Sequence, residues 1–172
     1  HPSVTKSLGI LGLGRSRVVK IPVDAQGRLR AELLPPISGP TIVIAQAGNV
    51  NTGAFDPFVA IAHAVQAKGG WLHIDGAFGL WARATKTHRH LGEGLELADS
   101  WAVDGHKWLQ TPYDCGYAIV RHREAHIRAM QIAASYLPGA SDGAHNPSDY
   151  VPELSRRARG FATWALIRHF GR

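Results

Sequence analysis

The sequence has little sulfur chemistry and no long apolar run. One cysteine among 172 residues cannot form an internal disulfide, and no Cys/His spacing is typical of a structural zinc site. No stretch approaches the length of a membrane-spanning helix, and no basic start precedes an apolar signal core. These absences exclude a disulfide-stapled scaffold, and they favour a protein of the reducing cytoplasm.

Acidic residues are the scarcer charged class. Nineteen Lys and Arg stand against 13 Asp and Glu, for a formal charge of +6 and a pI near 9.9. The basic residues are scattered, however, and only "RRARG" at 156–160 forms a cluster, without an aromatic platform beside it. The sequence therefore does not favour a nucleic-acid partner, and it shows no membrane segment.

A globular fold is indicated by the 45% of hydrophobic residues and by the length, which is in the range of one domain. The chain begins with "HPSVTK" and stops at "RHFGR", in the middle of a helical pattern. We therefore expect it to be a fragment of a longer polypeptide.

Helical and β-branched segments alternate along the chain, which is typical of an α/β fold. Helices are predicted for 4–13, 57–70, 122–132 and 153–170, and strands within 17–23, 39–48, 71–79, 96–108 and 115–120. A Pro-, Gly- and Ser-rich stretch at 137–150 predicts a long loop.

Side chains capable of acid-base or nucleophilic chemistry lie at or after the ends of two predicted strands. Open α/β sheets bind their ligands at the carboxyl ends of their strands. Asp75 ends an alternating run in which Trp71, His73 and Asp75 point to one side. A partly buried carboxylate there needs a cationic partner, and a protonated ring nitrogen would serve.

Lys107 follows the next strand, in "DGHKW". An ordinary lysine is protonated at neutral pH and is a poor nucleophile, but burial beside a second cation such as His106 would free its amine for Schiff-base chemistry. An aspartate for a pyridinium nitrogen and a lysine for an aldehyde are together what pyridoxal phosphate requires of a protein.

The sequence resembles the group II pyridoxal-phosphate-dependent amino-acid decarboxylases, the family of the aromatic amino-acid, glutamate and histidine decarboxylases. "HIDGAFG" followed by "ADSWAVDGHKW" is similar to the family's His-Val-Asp-Ala-Ala, Ala-Asp-Ser and His-Lys-Trp motifs in order and spacing. Four further segments carry the likeness along the chain: "HPSVTKSLGILG", "GNVNTGAFDP", "YDCGYAIVR" and "ELSRRARGFATWALIRHFG".

The resemblance implies part of the large domain of a type I, aspartate aminotransferase-like fold, with a mixed, mostly parallel sheet between helices. It implies that 1–150 belong to the cofactor-binding domain, with a mobile loop at 134–150. It further implies that 151–172 form a helix leading toward a small C-terminal domain absent from this chain. A homodimer is implied for the intact protein.

The resemblance also assigns roles to residues. Lys107 would carry pyridoxal 5'-phosphate as a Schiff base, and Asp75 would keep the pyridine nitrogen protonated. His1 would stack on one face of the ring and Ala77 would pack on the other. His106 and Asp104 would lie near the phosphate.

The implied reaction is decarboxylation of an L-amino acid to the amine, with Tyr136 in "ASYLPG" as the proton donor. Two alternatives stay open: another carbon-carbon lyase on the same scaffold, disfavoured by Trp108 because that branch typically has tyrosine there, and a non-catalytic fragment that needs other chains. Asn49 and Val50 replace the family's two threonines, which leaves the substrate open. His88 and His90 could suggest a metal, but no third ligand accompanies them.

Overall fold

The computed structural model describes residues 1–132 and 146–171. Its helices and strands follow one another in the order α1 (Pro2–Ile10), β1 (Ile42–Gln46), α2 (Phe58–Gln66), β2 (Trp71–Asp75), β3 (Ser100–Asp104), β4 (Gly116–Val120), α3 (Arg123–Met130) and α4 (Arg159–Phe170). The α/β architecture predicted from the alternating segments is confirmed.

One mixed sheet organises the chain, in the order β1-β2-β3-β4. The pairs β1–β2 and β2–β3 are parallel, and β4 returns antiparallel to β3. Gln46 pairs with Asp75, and Asp75 pairs with Ala102. The register therefore brings the carboxyl ends of three strands to one edge.

Helix α2 covers one face of this sheet. Pro57 precedes its first residue and a Lys-Gly-Gly sequence follows its end, a typical start and stop. Its buried residues pack with strand residues in one core, whose largest fully buried side chains are Phe58, Ile61, Val65, Leu72, Ile74 and Leu95. Each such side chain contributes about 1.5–3 kcal/mol by leaving water, so this core fixes the strands that carry the cleft.

The strand predicted for 17–23 is wrong. Only Val23 is paired there, in an isolated bridge with Leu29. Pro22 has no N–H to donate to a ladder, and Val19 is exposed. The neighbouring turn is held instead by Asp56, whose carboxylate accepts the N–H of Leu29 at 2.7 Å. The β-branched run therefore does not form a strand, because no neighbouring segment pairs with it beyond Val23.

Helix α4 is held against the rest of the chain at its first turns. Asp114 accepts hydrogen bonds from Arg157 at 2.8 and 3.1 Å and from Arg159 at 2.9 Å. The hydroxyl groups of Tyr117 on β4 and Thr163 on α4 are also hydrogen-bonded, at 2.5 Å. The helix begins at Arg159, six residues later than the pattern from 153 predicts.

Two sequence predictions concern the stretch before α4. Most of the loop predicted at 134–150 lies outside the described residues, and Pro147–Tyr150 form a short 3-10 turn. The division of the chain at residue 150 stays a prediction. None of the helices in the described ranges has the length and apolar character needed to cross a membrane.

Candidate active site

A cleft of about 400 Å³ lies at the edge where β1, β2 and β3 end. This is the edge at which open α/β sheets bind ligands. Residues from the strand ends and from α1 line it, among them His1, Gln46, Asp75, Ala77, Asp104 and Lys107. Five of the residues that the sequence singles out for the cofactor therefore share one cavity.

Asp75 is the last residue of β2 and is half-buried in the cleft wall. Its Oδ1 accepts the N–H of Ala77 at 3.2 Å. Within 1–132 and 146–171, no Lys, Arg or His pairs with this carboxylate at 4.0 Å or less. Because a partly buried carboxylate is costly without a partner, Asp75 is suited to hold a cationic group in the cleft.

Lys107 lies on the turn after β3, and its amine reaches the same cleft. Its Nζ is 2.7 Å from Oδ2 of Asp104 and 4.2 Å from the ring centroid of Phe78. The sequence predicted His106 as the charged neighbour of this amine. Instead, the amine of Lys107 forms an ion pair with the carboxylate of Asp104, three residues earlier in the sequence.

His106 is not among the residues that line the cleft. Its Nδ1 accepts the backbone N–H of Cys115 at 3.1 Å, and its ring stacks on Tyr113 with centroids 4.0 Å apart. Its Nε2 lies 3.8 Å from Oδ2 of Asp104. His106 therefore adjoins the site through Asp104, and the phosphate contact predicted for both residues remains a prediction.

His1 and Ala77 both line the cleft, His1 from the N-terminal cap of α1 and Ala77 from the turn after β2. His1 caps α1, with its Nδ1 accepting the N–H of Ser3 at 3.3 Å. The stacking roles implied for these two residues remain predictions. Tyr136, the implied proton donor, lies outside the described residues.

Two aromatic residues at this site, Phe78 and Trp81, were not predicted from the sequence. Phe78 lines the cleft and supports the amine of Lys107. The indole N–H of Trp81 donates to the carbonyl of Asp104 at 3.0 Å. Both follow Asp75 in "HIDGAFGLW", and the aromatic residues directly after a strand end were the available signal.

The turn after β1 carries the two departures from the family pattern. Val50 lines the cleft without a hydroxyl group. The side chain of Asn49 accepts the N–H of Asn51 at 2.9 Å, and the hydroxyl of Thr52 donates to the carbonyl of Gln26 at 2.7 Å. Asn49 and Thr52 are therefore engaged in the turn itself.

The histidines of "THRHLG" do not gather a metal-ligand set within the described part of the chain. No group of three His, Cys, Asp or Glu side chains suited to a metal occurs there. Nδ1 of His88 lies 2.9 Å from the hydroxyl oxygen of Thr87.

Comparison with known proteins identifies the family of this chain. A family model described as the pyridoxal-dependent decarboxylase conserved domain matches residues 1–172. The L-2,4-diaminobutyrate decarboxylase of Rhizobium meliloti (strain 1021) is 39% identical over 195 aligned residues, which cover 100% of this chain and 37% of that protein.

Solved structures agree with that match. The crystal structure of mouse CSAD superposes with a TM-score of 0.89 at 33% identity, covering 99% of this chain and 37% of that one. The crystal structure of Oryza sativa TDC with PLP and tryptamine gives a TM-score of 0.87 at 26% identity, with 99% and 38% covered. The chain thus spans little more than a third of these relatives.

Proposed function

This chain belongs to the pyridoxal-dependent decarboxylase family, and on that premise we propose that the whole protein removes the α-carboxyl group of an L-amino acid as carbon dioxide. We propose pyridoxal 5'-phosphate as the cofactor. The observation that carries both is the shared cleft of Asp75 and Lys107, which offers a carboxylate and an amine to one ligand. When bound, the cofactor supplies an electron sink for the electron pair left by the departing carboxyl group.

The residues present fit this cofactor. Its pyridinium nitrogen needs an anionic partner, and the carboxylate of Asp75 has no cationic partner among the described residues. Its aldehyde needs an amine, and Lys107 reaches the same cavity. A cavity of about 400 Å³ is within the usual range for small-molecule sites.

Each of four residues has a proposed task. Lys107 holds the cofactor covalently through Nζ. Asp75 keeps a proton on the ring nitrogen, because an adjacent anion favours the protonated form. His1 stacks on one face of the ring, and the small side chain of Ala77 leaves room on the other; the presence of both in the cleft lining supports this.

The proton that replaces the carboxyl group needs a donor. We propose Tyr136, whose hydroxyl would deliver it to the α-carbon. General acid catalysis of this kind typically contributes 10²–10⁴-fold to the rate. The support is the place of Tyr136 in the motif "SYLPG", downstream of the lysine-bearing segment.

The setting of the protein is also a proposal. The one cysteine, Cys115, is buried and forms no disulfide within the chain, which is compatible with the cytoplasm. We propose a homodimer for the whole protein, on the family resemblance. The substrate is proposed only as an L-amino acid, because the relatives' names point to different ones, such as 2,4-diaminobutyrate.

The test first locates the residue that binds the cofactor and then measures the reaction. The full-length protein is incubated with pyridoxal phosphate, reduced with borohydride and digested, and the peptides are analysed by mass spectrometry. We expect the reduced cofactor on Lys107 and its loss in Lys107→Ala. Lys68→Ala, an exposed lysine after α2, is the matched control and should keep the adduct.

Carbon dioxide release is then measured on a panel of L-amino acids. Release from at least one of them, lost in Lys107→Ala and kept in Lys68→Ala, is the expected result. A cofactor fixed on Lys107 without carbon dioxide from any amino acid would contradict decarboxylation. Absence of the adduct in the wild type would contradict the cofactor as well.

A further inference from the structure

The amine of Lys107 and the carboxylate of Asp104 form the closest charged contact in the cleft. Oδ2 of Asp104 lies 2.7 Å from Nζ, and the two side chains are 26% and 27% exposed. Phe78 covers the amine on another side, with its ring centroid 4.2 Å away. This ion pair is short and partly shielded from water, and it involves the nitrogen of Lys107 that would bind the cofactor.

The same carboxylate oxygen faces His106, whose tautomer follows from its other contact. A backbone N–H can only donate, so Nδ1 of His106, which accepts from Cys115 at 3.1 Å, carries no proton. The ring proton of the neutral imidazole is then on Nε2, which lies 3.8 Å from Oδ2 of Asp104. The ring is also stacked on Tyr113. His106 therefore lies beside Asp104 but beyond hydrogen-bond distance, which leaves Lys107 as the closest charged neighbour of this oxygen.

Building on the proposed function, we propose that Asp104 is the proton acceptor for Lys107 during cofactor capture. The ammonium form of Lys107 has no lone pair, so it cannot attack an aldehyde until a base removes a proton. Asp104 is the base in contact with it. A carboxylate is also a poor partner for a phosphate, because both are anions, whereas it suits an ammonium group.

The step balances without another reactant. Nζ gives one of its three protons to Oδ2 of Asp104, and its lone pair then forms a bond to the aldehyde carbon. The carbon-oxygen double bond of the aldehyde breaks, and the oxygen leaves as water with the proton held by Asp104 and a second proton from Nζ. The nitrogen keeps its third proton and its positive charge, and Asp104 is again a carboxylate.

A purely structural ion pair would behave differently. Partly exposed ion pairs contribute little to stability, so the loss of this one should hardly move the thermal midpoint. Its loss should instead slow the bond between Nζ and the aldehyde. The rate of cofactor uptake therefore separates the two roles, and it is measured without substrate.

The experiment uses the full-length protein stripped of cofactor with hydroxylamine and mixed with pyridoxal phosphate in a stopped-flow spectrophotometer. Uptake is followed by absorbance and by the amount of borohydride-fixed adduct on Lys107 at each time. We expect Asp104→Asn to be slower than the wild type by about 10²-fold, the lower end for a lost general base. Asp104→Glu should stay within several-fold of the wild type. Glu32→Gln, which changes an exposed carboxylate paired with Arg30, should be unchanged.

Chemical rescue adds a readout that a structural role would not move. Uptake by Asp104→Ala should be slow in chloride and faster in acetate at equal ionic strength, because acetate can take the proton in place of the missing carboxylate. Wild-type uptake should not respond to acetate.

The outcomes of these experiments test the role of Asp104 separately from the proposed function. Uptake by Asp104→Asn at the wild-type rate would overturn the assignment of Asp104, while the wild-type adduct would still support the proposed cofactor. No adduct in the wild type would instead overturn the proposed function. If Asp104→Asn does not unfold cooperatively, Asp104→Ala takes its place, and a rate that acetate leaves unchanged would overturn the proton-acceptor role.

Discussion

Nδ1 of His73 on β2 lies 2.8 Å from Oγ of Ser100 on the neighbouring β3. The same oxygen accepts the indole N–H of Trp71 at 2.8 Å, which leaves the serine hydroxyl proton for the imidazole. Burial lowers the pKa of His73, and the nearby charge of Asp75 opposes this only in part. A neutral histidine therefore links the two central strands, β2 and β3, beside the cleft.

This histidine should make stability depend on pH. Because its pKa is lowered in the folded state, the unfolded chain binds the proton first as pH falls. The stabilisation is present above the unfolded value of about 6.5 and is lost as pH falls through the lower folded value. We expect the thermal midpoint of the wild type to fall more than that of His73→Gln between about pH 8 and about pH 5.

The matched control for that titration is His63→Gln, which changes an exposed histidine on α2. Its midpoint should follow the wild type across the range. Parallel pH curves for the wild type and His73→Gln would show that His73 does not carry the effect.

Asp75→Asn should separate cofactor attachment from catalysis. An amide cannot hold the ring nitrogen protonated as a carboxylate does, so kcat should fall by about 10²-fold or more, as when one preorganised electrostatic contact is lost. Borohydride should still fix the cofactor on Lys107. Asp149→Asn, in the 3-10 turn before α4, is the control and should keep wild-type turnover. Near-normal turnover by Asp75→Asn would rule out its proposed role.

Tyr136→Phe removes the proposed proton donor and keeps the ring. Amine release should fall by about 10²-fold or more, the usual contribution of a general acid, and carbon dioxide is measured in parallel. Tyr150→Phe is the matched control; it loses the hydroxyl that accepts a hydrogen bond from Arg123 at 2.9 Å. An undiminished rate of amine formation by Tyr136→Phe would remove it from the mechanism.

The sequence allowed the strand ends of the site to be predicted. The β-branched run before Gln46 and the alternating run before Asp75 mark where β1 and β2 stop, and parallel strands bring such ends together. The sequence alone therefore predicted that Asp75 and Lys107 lie at one edge of the sheet. A helix after Pro57 was predictable for a similar reason, since proline and two glycines mark its limits.

The contacts within the turns could not be predicted in the same way. His106 precedes Lys107 in sequence, yet the backbone of Cys115 draws its ring away and Asp104 reaches the amine instead. That outcome depends on the path of a turn and on Cys115, which directly precedes β4 and lies 9 residues after His106. The strand predicted around Val19 failed because pairing depends on a distant partner, which a local pattern does not contain.

The backbone after β2 packs directly against the backbone after β1, and this contact shapes one wall of the cleft. The N–H of Gly79 donates to the carbonyl of Ala47 at 2.9 Å, and a methyl group at Gly79 would lie 2.6 Å from that same carbonyl oxygen. We expect Gly79→Ala to destabilise the full-length protein by about 1–3 kcal/mol, the usual range for overpacking. Since Phe78 and Gly48 flank this contact and line the cleft, cofactor affinity should fall too.

Gly160→Ala is the matched control for this substitution. It lies in α4, where an added methyl group meets nothing within 4 Å. A helical alanine is favoured over glycine by about 0.5–1 kcal/mol, so this variant should be slightly more stable than the wild type and should bind the cofactor normally. Thermal midpoints and cofactor titrations of the two variants check both points. Equal midpoints would mean that the two turns can separate at Gly79 without cost, and that the cleft wall does not depend on their contact.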